Sequence, residues 1–241
     1  MTRVCGKNQV IIAGTRRLQT NLWGVTDGEE IDMAKNCCIM CYSGYGWKWD
    51  RQNPKPLPDS KYTAPIYPDI TTGTSPWGGY NSNPNLPVKI SDINTLEFRV
   101  DYEYLIMPSG DDSLNFAYDA WVLDKPKPDG ETLLTKKEIM IWVNRQNVPM
   151  PSPVAQVSDG TNTYDLMAWE NYYAFILNVL PAEGENSHKV NVKLLIDYLV
   201  EHGYIPVTWY LAEIALGNEI WKSSGRMQIR DMAIVLNGGK I

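Results

Sequence analysis

The stretch Glu138-Ile139-Met140-Ile141-Trp142 decides the fold class of this 241-residue chain. Successive side chains of a β-strand point to opposite faces, so Glu138, Met140 and Trp142 share one face while the isoleucines take the other. One face can then pack into a core, and the other places a carboxylate beside an aromatic ring. The pattern therefore predicts a strand of a β-sheet that lies between a core and a cleft.

A second glutamate, Glu219, interrupts a similar run, Leu216-Gly217-Asn218-Glu219-Ile220-Trp221, where parity places it on one face with Trp221. Cleavage of a glycosidic bond with retention needs one carboxylate that attacks the anomeric carbon and a protonated carboxyl that assists the leaving oxygen, about 5 Å apart. Like charges raise one of the two pKa values, as the acid role requires. Glu138 and Glu219 are therefore candidate catalytic carboxylates.

A third carboxyl, Asp119, lies in the run Asn115-Phe116-Ala117-Tyr118-Asp119-Ala120-Trp121. Parity places Asn115, Asp119 and Trp121 on one face of this strand. We expect Asp119 to orient the nucleophile or to hydrogen-bond to it.

The aromatic residues are mostly those with a polar edge: the chain has 9 Trp and 14 Tyr but only 3 Phe. Sugar rings stack on such flat apolar faces. Any single ring is as readily a filler of a β-sandwich core, so only the aggregate favours a binding groove.

The formal charge of −6, with no basic cluster, argues against nucleic acid and anionic membranes as partners, because both select patches of Lys and Arg. No apolar run approaches the roughly 20 residues of a membrane helix. We therefore expect a neutral partner.

The chain is predicted to form a single domain over residues 1–241, because no linker or sustained charge run divides it.

Short segments rich in Val, Ile, Tyr and Trp alternate with turn clusters, which predicts mostly antiparallel β-structure. The clearest of these segments are 96–107, 115–123, 138–143, 164–169 and 172–177. Residues 191–203 are the exception, with apolar residues at helical spacing and Gly203 as a C-terminal stop. Residues 50–89 are rich in proline and glycine and are predicted to form long loops with little strand.

The cysteines, Cys5, Cys37, Cys38 and Cys41, all lie near the start of the chain, which suits one or two local disulfides. Adjacent Cys37 and Cys38 cannot both reach one partner, so we expect Cys5 to bridge one of them. A zinc site at Cys38-x-x-Cys41 is the alternative, but no second Cys pair follows and both histidines are distant in sequence. We predict neither a metal nor any other cofactor.

A disulfide implies an oxidising compartment. The apolar run at residues 10–14 is too short for the core of a signal peptide. We therefore expect a secreted, extracellular protein from which the signal has been removed.

Four segments, in the order of the chain, resemble glycoside hydrolase family 12, the small jelly-roll endoglucanases. Asn21-Leu22-Trp23-Gly24 is similar to the Asn-x-Trp-Gly segment of the family, and residues 115–119 are similar to its Asn-x-Ala-Tyr-Asp strand. Residues 138–142 resemble the nucleophile strand, and residues 216–221 resemble the acid/base strand, typically Gly-x-Glu followed by an aromatic residue.

The resemblance implies an all-β fold: a jelly-roll sandwich of two antiparallel sheets with a concave substrate cleft and one α-helix. By the same resemblance Glu138 is the nucleophile, Glu219 the general acid/base and Asp119 a supporting carboxylate. Asn21 and Trp23 correspond to glucose-binding positions on the non-reducing side. Further candidates for the same groove are Trp49, Asn115, Met140, Trp142 and Trp221.

The resemblance also implies a retaining endo-β-1,4-glucanase that acts on internal bonds of cellulose-like chains. We expect a monomer that needs no cofactor. Xyloglucan or mixed-linkage β-glucan is the alternative substrate, and a related jelly-roll xylanase fits the glutamate strand less well. A non-catalytic carbohydrate-binding module would need the aromatic rings but no paired carboxylates. Release of reducing sugar from soluble β-glucan separates the enzyme from the binding module.

Overall fold

The structure, a computed structural model, describes residues 2–25, 36–52, 64–128 and 135–241. Its strands are β1 (Thr2–Cys5), β2 (Val10–Ala13), β3 (Arg16–Gln19), β4 (Cys38–Cys41), β5 (Tyr45–Arg51), β6 (Asp69–Gly73), β7 (Val88–Lys89), β8 (Leu96–Ile106), β9 (Ser113–Leu123), β10 (Lys136–Gln146), β11 (Ala155–Ser158), β12 (Thr163–Ala168), β13 (Tyr172–Ile176), β14 (Glu185–Asn191), β15 (Tyr210–Gly217), β16 (Ile220–Leu236) and β17 (Gly239–Lys240). The α-helix α1 (Val192–Glu201) follows β14, and a 3₁₀ turn (Ile90–Asp92) follows β7.

The strands form a sandwich of a front and a back sheet. The front sheet has the order β2-β3-β6-β15-β9-β10-β13-β12-β11, and the back sheet has the order β1-β4-β5-β16-β8-β14. These pairs are antiparallel except β10 with β13, which is parallel. Strand β16 links the layers, since its first residues pair with β9 and the rest with β5 and β8. The prediction of a jelly-roll sandwich is confirmed.

Strand β9 shows how alternation divides core from cleft. Phe116, Tyr118 and Val122 are fully buried in the core between the sheets. Asp119 and Trp121, which have the opposite parity, face the other side of the front sheet. Strand β10 follows the same rule, so the parity predicted for residues 138–142 is confirmed.

The helix α1 lies where the apolar spacing predicts it, with Leu195, Ile196 and Leu199 buried against the sandwich. It ends before Gly203, whose φ of +73° is a left-handed conformation that glycine adopts without strain. Within the described residues, no helix is long and apolar enough to cross a membrane.

The prediction of loops at 50–89 missed a strand that contributes residues to the cleft. Residues 53–63 lie outside the described part of the chain, but β6 (Asp69–Gly73) is an interior strand of the front sheet, paired with both β3 and β15. Its sequence, Asp-Ile-Thr-Thr-Gly, is short and flanked by turn residues, so composition over a long window concealed it.

The cysteine prediction is confirmed in its main point, because Cys5 bridges Cys38. These residues are directly opposite each other in the pairing of β1 with β4. Cys37 and Cys41 are free thiols, and burial raises the pKa of Cys37 to about 12.

Candidate active site

A cleft of about 1040 Å³ lies on the outer face of the front sheet. Side chains from β3, β6, β15, β9, β10 and β13 line it, so it runs across six neighbouring strands. Five strand spacings correspond to roughly 24 Å. The cleft therefore has the length to hold several units of a linear polymer.

The strand registers place the acidic side chains in successive rows across the front sheet. Glu213 on β15 and Glu138 on β10 both lie opposite Trp121 on β9, so the three form one row across the sheet. In the next row Asp119 lies between its neighbours on β15 and β10. Glu219 lies two residues beyond the end of β15 and lines the same cleft.

Glu138 projects from the start of β10 into the cleft and is partly exposed. Its pKa is raised well above the ordinary value, chiefly by desolvation and then by the charges of Asp119 and Glu219. Three carboxyls that repel one another in this way cannot all be ionised, so the group retains at least one proton near neutral pH.

Glu219 is held by the side-chain amide of Asn115. The Asn115 Nδ2 donates to the Glu219 carboxylate at 2.5 Å, and the backbone N–H of Glu219 donates to the Asn115 Oδ1 at 3.1 Å. Burial raises the pKa of Glu219 to about 7, although the bond from Asn115 opposes the shift. Glu219 can therefore exist in both protonation states near neutrality, as a general acid and base must.

The residue before Glu219 fixes the backbone there. Asn218 is fully buried, accepts a hydrogen bond from Trp47 Nε1 at 2.8 Å and donates to the carbonyl of Asn115 at 2.8 Å. The indole in the core thus supports the chain segment that carries Glu219.

Asp119 lies in the floor of the cleft and is 8% exposed. One carboxyl oxygen accepts a hydrogen bond from Trp121 Nε1 at 3.0 Å, and the other has no partner among the described residues. Burial, followed by the charges of Glu213 and Glu219, raises the pKa of Asp119 well above its ordinary value. A protonated Asp119 can donate to a neighbouring carboxylate.

Asn21 and Trp23 lie at the β3 end of the cleft. The Asn21 amide donates to Asp69 at 2.9 Å, and Gln19 donates to the same carboxyl oxygen at 3.1 Å. Asn21 has a φ of +43°, so this bond holds a conformation that few residues other than Gly, Asn and Asp adopt. Trp23 is 57% exposed, which leaves its ring available to a ligand.

Aromatic and sulfur-containing side chains form the other end. The rings of Trp169 and Tyr172 are in contact, with centroids 5.2 Å apart, and both line the cleft. The Tyr172 hydroxyl donates to the sulfur of Met140 at 3.1 Å. Met140 and Trp142 line the cleft and pack in a small apolar cluster beneath it.

Three predicted groove residues lie elsewhere. Trp49 is fully buried between the sheets, where its ring packs on Gly225 of β16 and its Nε1 donates to Ser223. Asn115 is also fully buried and holds Glu219, so it is not a surface for substrate. Trp221 packs beside Trp142, with ring centroids 6.4 Å apart, and does not line the cleft.

Sequence reasoning missed other residues of the site. These are Arg17, Asp69, Trp77, Tyr80, Trp169 and Glu213. Glu213 carried a usable signal, because it interrupts an apolar strand and has the same parity as Glu219. Trp77 and Tyr80 come from a loop, where alternation gives no information.

A group of partly or fully buried carboxyls, flanked by exposed aromatic rings in a long cleft across a jelly-roll sheet, defines a β-sandwich enzyme of the carbohydrate-cleaving class. The family model of glycosyl hydrolase family 12 matches residues 15–237. The chain therefore belongs to this family and is a glycoside hydrolase.

Endoglucanase S of Pectobacterium parmentieri is 25% identical in an alignment of 231 residues that covers 90% of this chain and 80% of that protein. A family 12 xyloglucanase from Bacillus licheniformis superimposes with a TM-score of 0.79 at 20% identity, covering 98% of this chain and all of the other. Endoglucanase cel12A from Rhodothermus marinus superimposes with a TM-score of 0.75 at 23% identity, covering both chains fully. At these identities the two superpositions establish the fold.

Proposed function

We propose that this protein is a retaining endo-β-1,4-glucanase that cleaves internal bonds of cellulose-like β-glucans. The observation that carries the proposal is the position of Glu138, Asp119 and Glu219 in the middle of a cleft that has exposed aromatic rings at both ends. Trp23 lies at the β3 end and Trp169 at the β13 end. Sugar-binding surface on both sides of the carboxyls suits a chain that is cut internally, and the similarity to endoglucanase S supports the β-glucan class.

In the proposed reaction, Glu138 attacks the anomeric carbon and forms a covalent glycosyl ester while the Glu219 carboxyl gives its proton to the leaving oxygen. Water then enters, Glu219 takes a proton from it, and the ester is hydrolysed with net retention. Because Asn115 Nδ2 donates to one carboxylate oxygen of Glu219, the transferable proton belongs on the other.

Asp119 supports the nucleophilic role of Glu138 by holding the proton that the three clustered carboxyls retain. The unpartnered oxygen of Asp119 is the atom that carries this proton, since its other oxygen accepts from Trp121. With the proton on Asp119, the neighbouring Glu138 can stay ionised despite its raised pKa.

Xyloglucan or mixed-linkage β-glucan is the alternative substrate, and the likeness to the xyloglucanase keeps it open. A binding module without activity is disfavoured, because binding neutral sugar does not require two carboxyls, Glu138 and Glu219, close enough for the charge of one to raise the pKa of the other, whereas retaining hydrolysis does. We also propose an extracellular location, because the Cys5–Cys38 disulfide persists in an oxidising compartment.

The test is a product analysis on carboxymethyl-cellulose, barley β-glucan, xyloglucan and xylan side by side, with the first-formed anomer followed by proton NMR. We expect a rapid fall in viscosity on the preferred glucan and an initial β-anomer product. An initial α-anomer would contradict retention. Release of sugar from xylan alone would contradict the glucanase assignment, and no release from any of the four would favour the binding module.

A further inference from the structure

The part of the cleft between β3 and β15 contains a continuous chain of polar side chains. Gln19, bonded to Asp69, accepts a hydrogen bond from Arg17. The Arg17 guanidinium lies 4.3 Å from the centre of the Tyr80 ring. The Tyr80 hydroxyl in turn donates to the carboxylate of Glu213. This chain, which we call the polar wall, ends on Glu213.

Glu213 is buried, at 6% exposure, yet its side chain lines the cleft. Within the described residues its carboxylate accepts a hydrogen bond from Tyr80 and from no other group. An ionised carboxylate has about four acceptor positions, so most of its capacity faces the cleft unused. A buried carboxyl in an otherwise apolar strand is costly, and the packing of the sandwich does not require it.

The row that Glu213 shares with Glu138 fixes its distance from the reacting bond. The two residues are two strands apart, which separates their α-carbons by roughly 10 Å. One strand spacing is close to the advance of a β-linked chain per sugar ring. Glu213 lies on the side of Asn21 and Trp23, and it therefore reaches the second sugar from the cleaved bond on the non-reducing side.

We propose that Glu213, oriented by Tyr80, binds hydroxyl groups of this second glycone sugar and makes the enzyme dependent on its presence. The ligand class is a neutral β-linked hexopyranosyl chain, whose hydroxyls donate to the Glu213 carboxylate in charge-assisted hydrogen bonds above about pH 7, where this carboxyl is ionised. The inference rests on the proposed function, because the direction of the glucan in the cleft comes from the roles of Asn21 and Trp23.

The test compares aryl β-glucoside, aryl β-cellobioside and aryl β-cellotrioside as substrates of the parent protein and of Glu213→Gln. The ratio of kcat/KM for cellobioside over glucoside isolates the second sugar, because any effect on the attacked sugar cancels. In Glu213→Gln we expect this ratio to fall about tenfold, the difference between a charged and a neutral acceptor. The ratio of cellotrioside over cellobioside should stay the same.

One further variant is a control, and another tests whether Tyr80 orients Glu213. Glu201→Gln, on an exposed residue at the end of α1, should leave both ratios unchanged. Tyr80→Phe removes the hydroxyl that orients Glu213 and keeps the ring, so it should lower the first ratio by a smaller factor. The double variant Tyr80→Phe/Glu213→Gln should be no worse than Glu213→Gln alone, because both changes act through one carboxylate.

A binding measurement tests the contact between Glu213 and the second sugar without requiring turnover. Calorimetric titration of cellotriose into Glu138→Gln and into Glu138→Gln/Glu213→Gln should show about a tenfold weaker Kd for the double variant. The proposal would be overturned by equal Kd values for the two proteins. It would also be overturned if Glu213→Gln lowered kcat/KM equally for glucoside and cellobioside, so that the ratio of the two stayed unchanged. If the parent protein hydrolyses no glucan at all, the proposed function fails, while the titration still decides the role of Glu213.

Discussion

Asn115 shows how one buried residue sets the geometry of another. Both ends of its side-chain amide are used on Glu219, one on the carboxylate and one on the backbone N–H. Its own position is fixed because its carbonyl accepts from Asn218. Glu219 therefore enters the reaction with its rotamer already selected, and no entropy is lost in ordering it when substrate binds.

For Glu219 we predict that Glu219→Ala slows the hydrolysis of natural glucans severely. Substrates with an activated aryl leaving group should still form the glycosyl-enzyme, since such leaving groups need no proton. Added azide should then restore turnover and yield a β-glycosyl azide. Rates on both kinds of substrate, with and without azide, are the measurement. Equal loss on both kinds, with no response to azide, would mean that Glu219 is structural.

Glu138→Gln should abolish turnover without unfolding the protein. The amide is nearly isosteric with the carboxyl but cannot form the glycosyl ester, and loss of a covalent nucleophile normally lowers kcat by several decades. Thermal melting and titration with cellotriose should show a folded protein that still binds. Activity within about tenfold of the parent would remove Glu138 from this role.

Trp23 is predicted to stack on a glucose ring of the glycone. Trp23→Ala should weaken the binding of oligosaccharides by about 1 to 3 kcal/mol, the scale of losing one aromatic platform. Because the side chain is 57% exposed, the melting temperature should change little. Calorimetry checks the affinity, and unchanged affinity together with a large drop in melting temperature would instead indicate a packing role.

At the scale of elements, alternation predicted which residues share a face but not which face meets the cleft. Trp47 and Trp49 of β5 have the same parity and lie next to charged residues, as a groove strand would. The structure places β5 in the back sheet, so both rings point into the core. Assignment of a strand to a sheet depends on pairing between distant segments, which no local pattern encodes.

The strands β9 and β10 were predictable because each combines a long apolar alternation with one carboxylate. The polar wall was not, since it joins β3 and β15 through a loop residue, Tyr80, whose direction is set by the surrounding fold. The resemblance supplied Asn21 and Trp23, but the carboxyl that holds Asn21, Asp69, belongs to a strand that composition had concealed. Long-range contacts of this kind are what the sequence alone could not predict.

The pairing of β1 with β4 leads to a prediction about thiols. Cys5 and Cys38 are 33 residues apart, and closing a loop of this length stabilises the folded protein by about 3 to 4 kcal/mol on the chain-entropy estimate. Thiol counting on the denatured, unreduced protein should find two free groups, Cys37 and Cys41. In the native protein Cys37 should react much more slowly, since it is buried with a raised pKa. Four free thiols would contradict the disulfide and the extracellular assignment together.

At the scale of the whole molecule, the acidic groups are divided between two environments. On the back sheet they are exposed and paired, as where Arg230 binds both Glu103 and Glu185. In the cleft they are buried, and desolvation raises their pKa values, including those of Asp69 and Glu213. Exposed ion pairs add little to stability, whereas buried carboxyls that resist ionisation link folding to pH.

Glu213 provides the clearest case of this linkage, since burial raises its pKa from 4.5 to about 7. Between these two pH values the folded protein holds a proton that the unfolded chain has released, so the free energy of unfolding falls as the pH rises. His188 acts in the opposite sense, because burial lowers its pKa from 6.5 to about 4 and the unfolded chain then binds the extra proton. Variants of Glu213 that keep His188 unchanged separate the contribution of Glu213 to the pH dependence of stability from that of His188.

We therefore expect Glu213→Gln to lose less stability than the parent protein between about pH 5 and pH 8. The difference should reach up to about 3 kcal/mol, the free energy that corresponds to the shift in pKa, because glutamine has no proton to release. Urea unfolding of both proteins at the two pH values measures it, with Glu201→Gln as the exposed control, which should follow the parent. An equal decline in all three proteins would mean that Glu213 is already ionised at pH 5, held so by Arg17 and by the hydrogen bond from Tyr80.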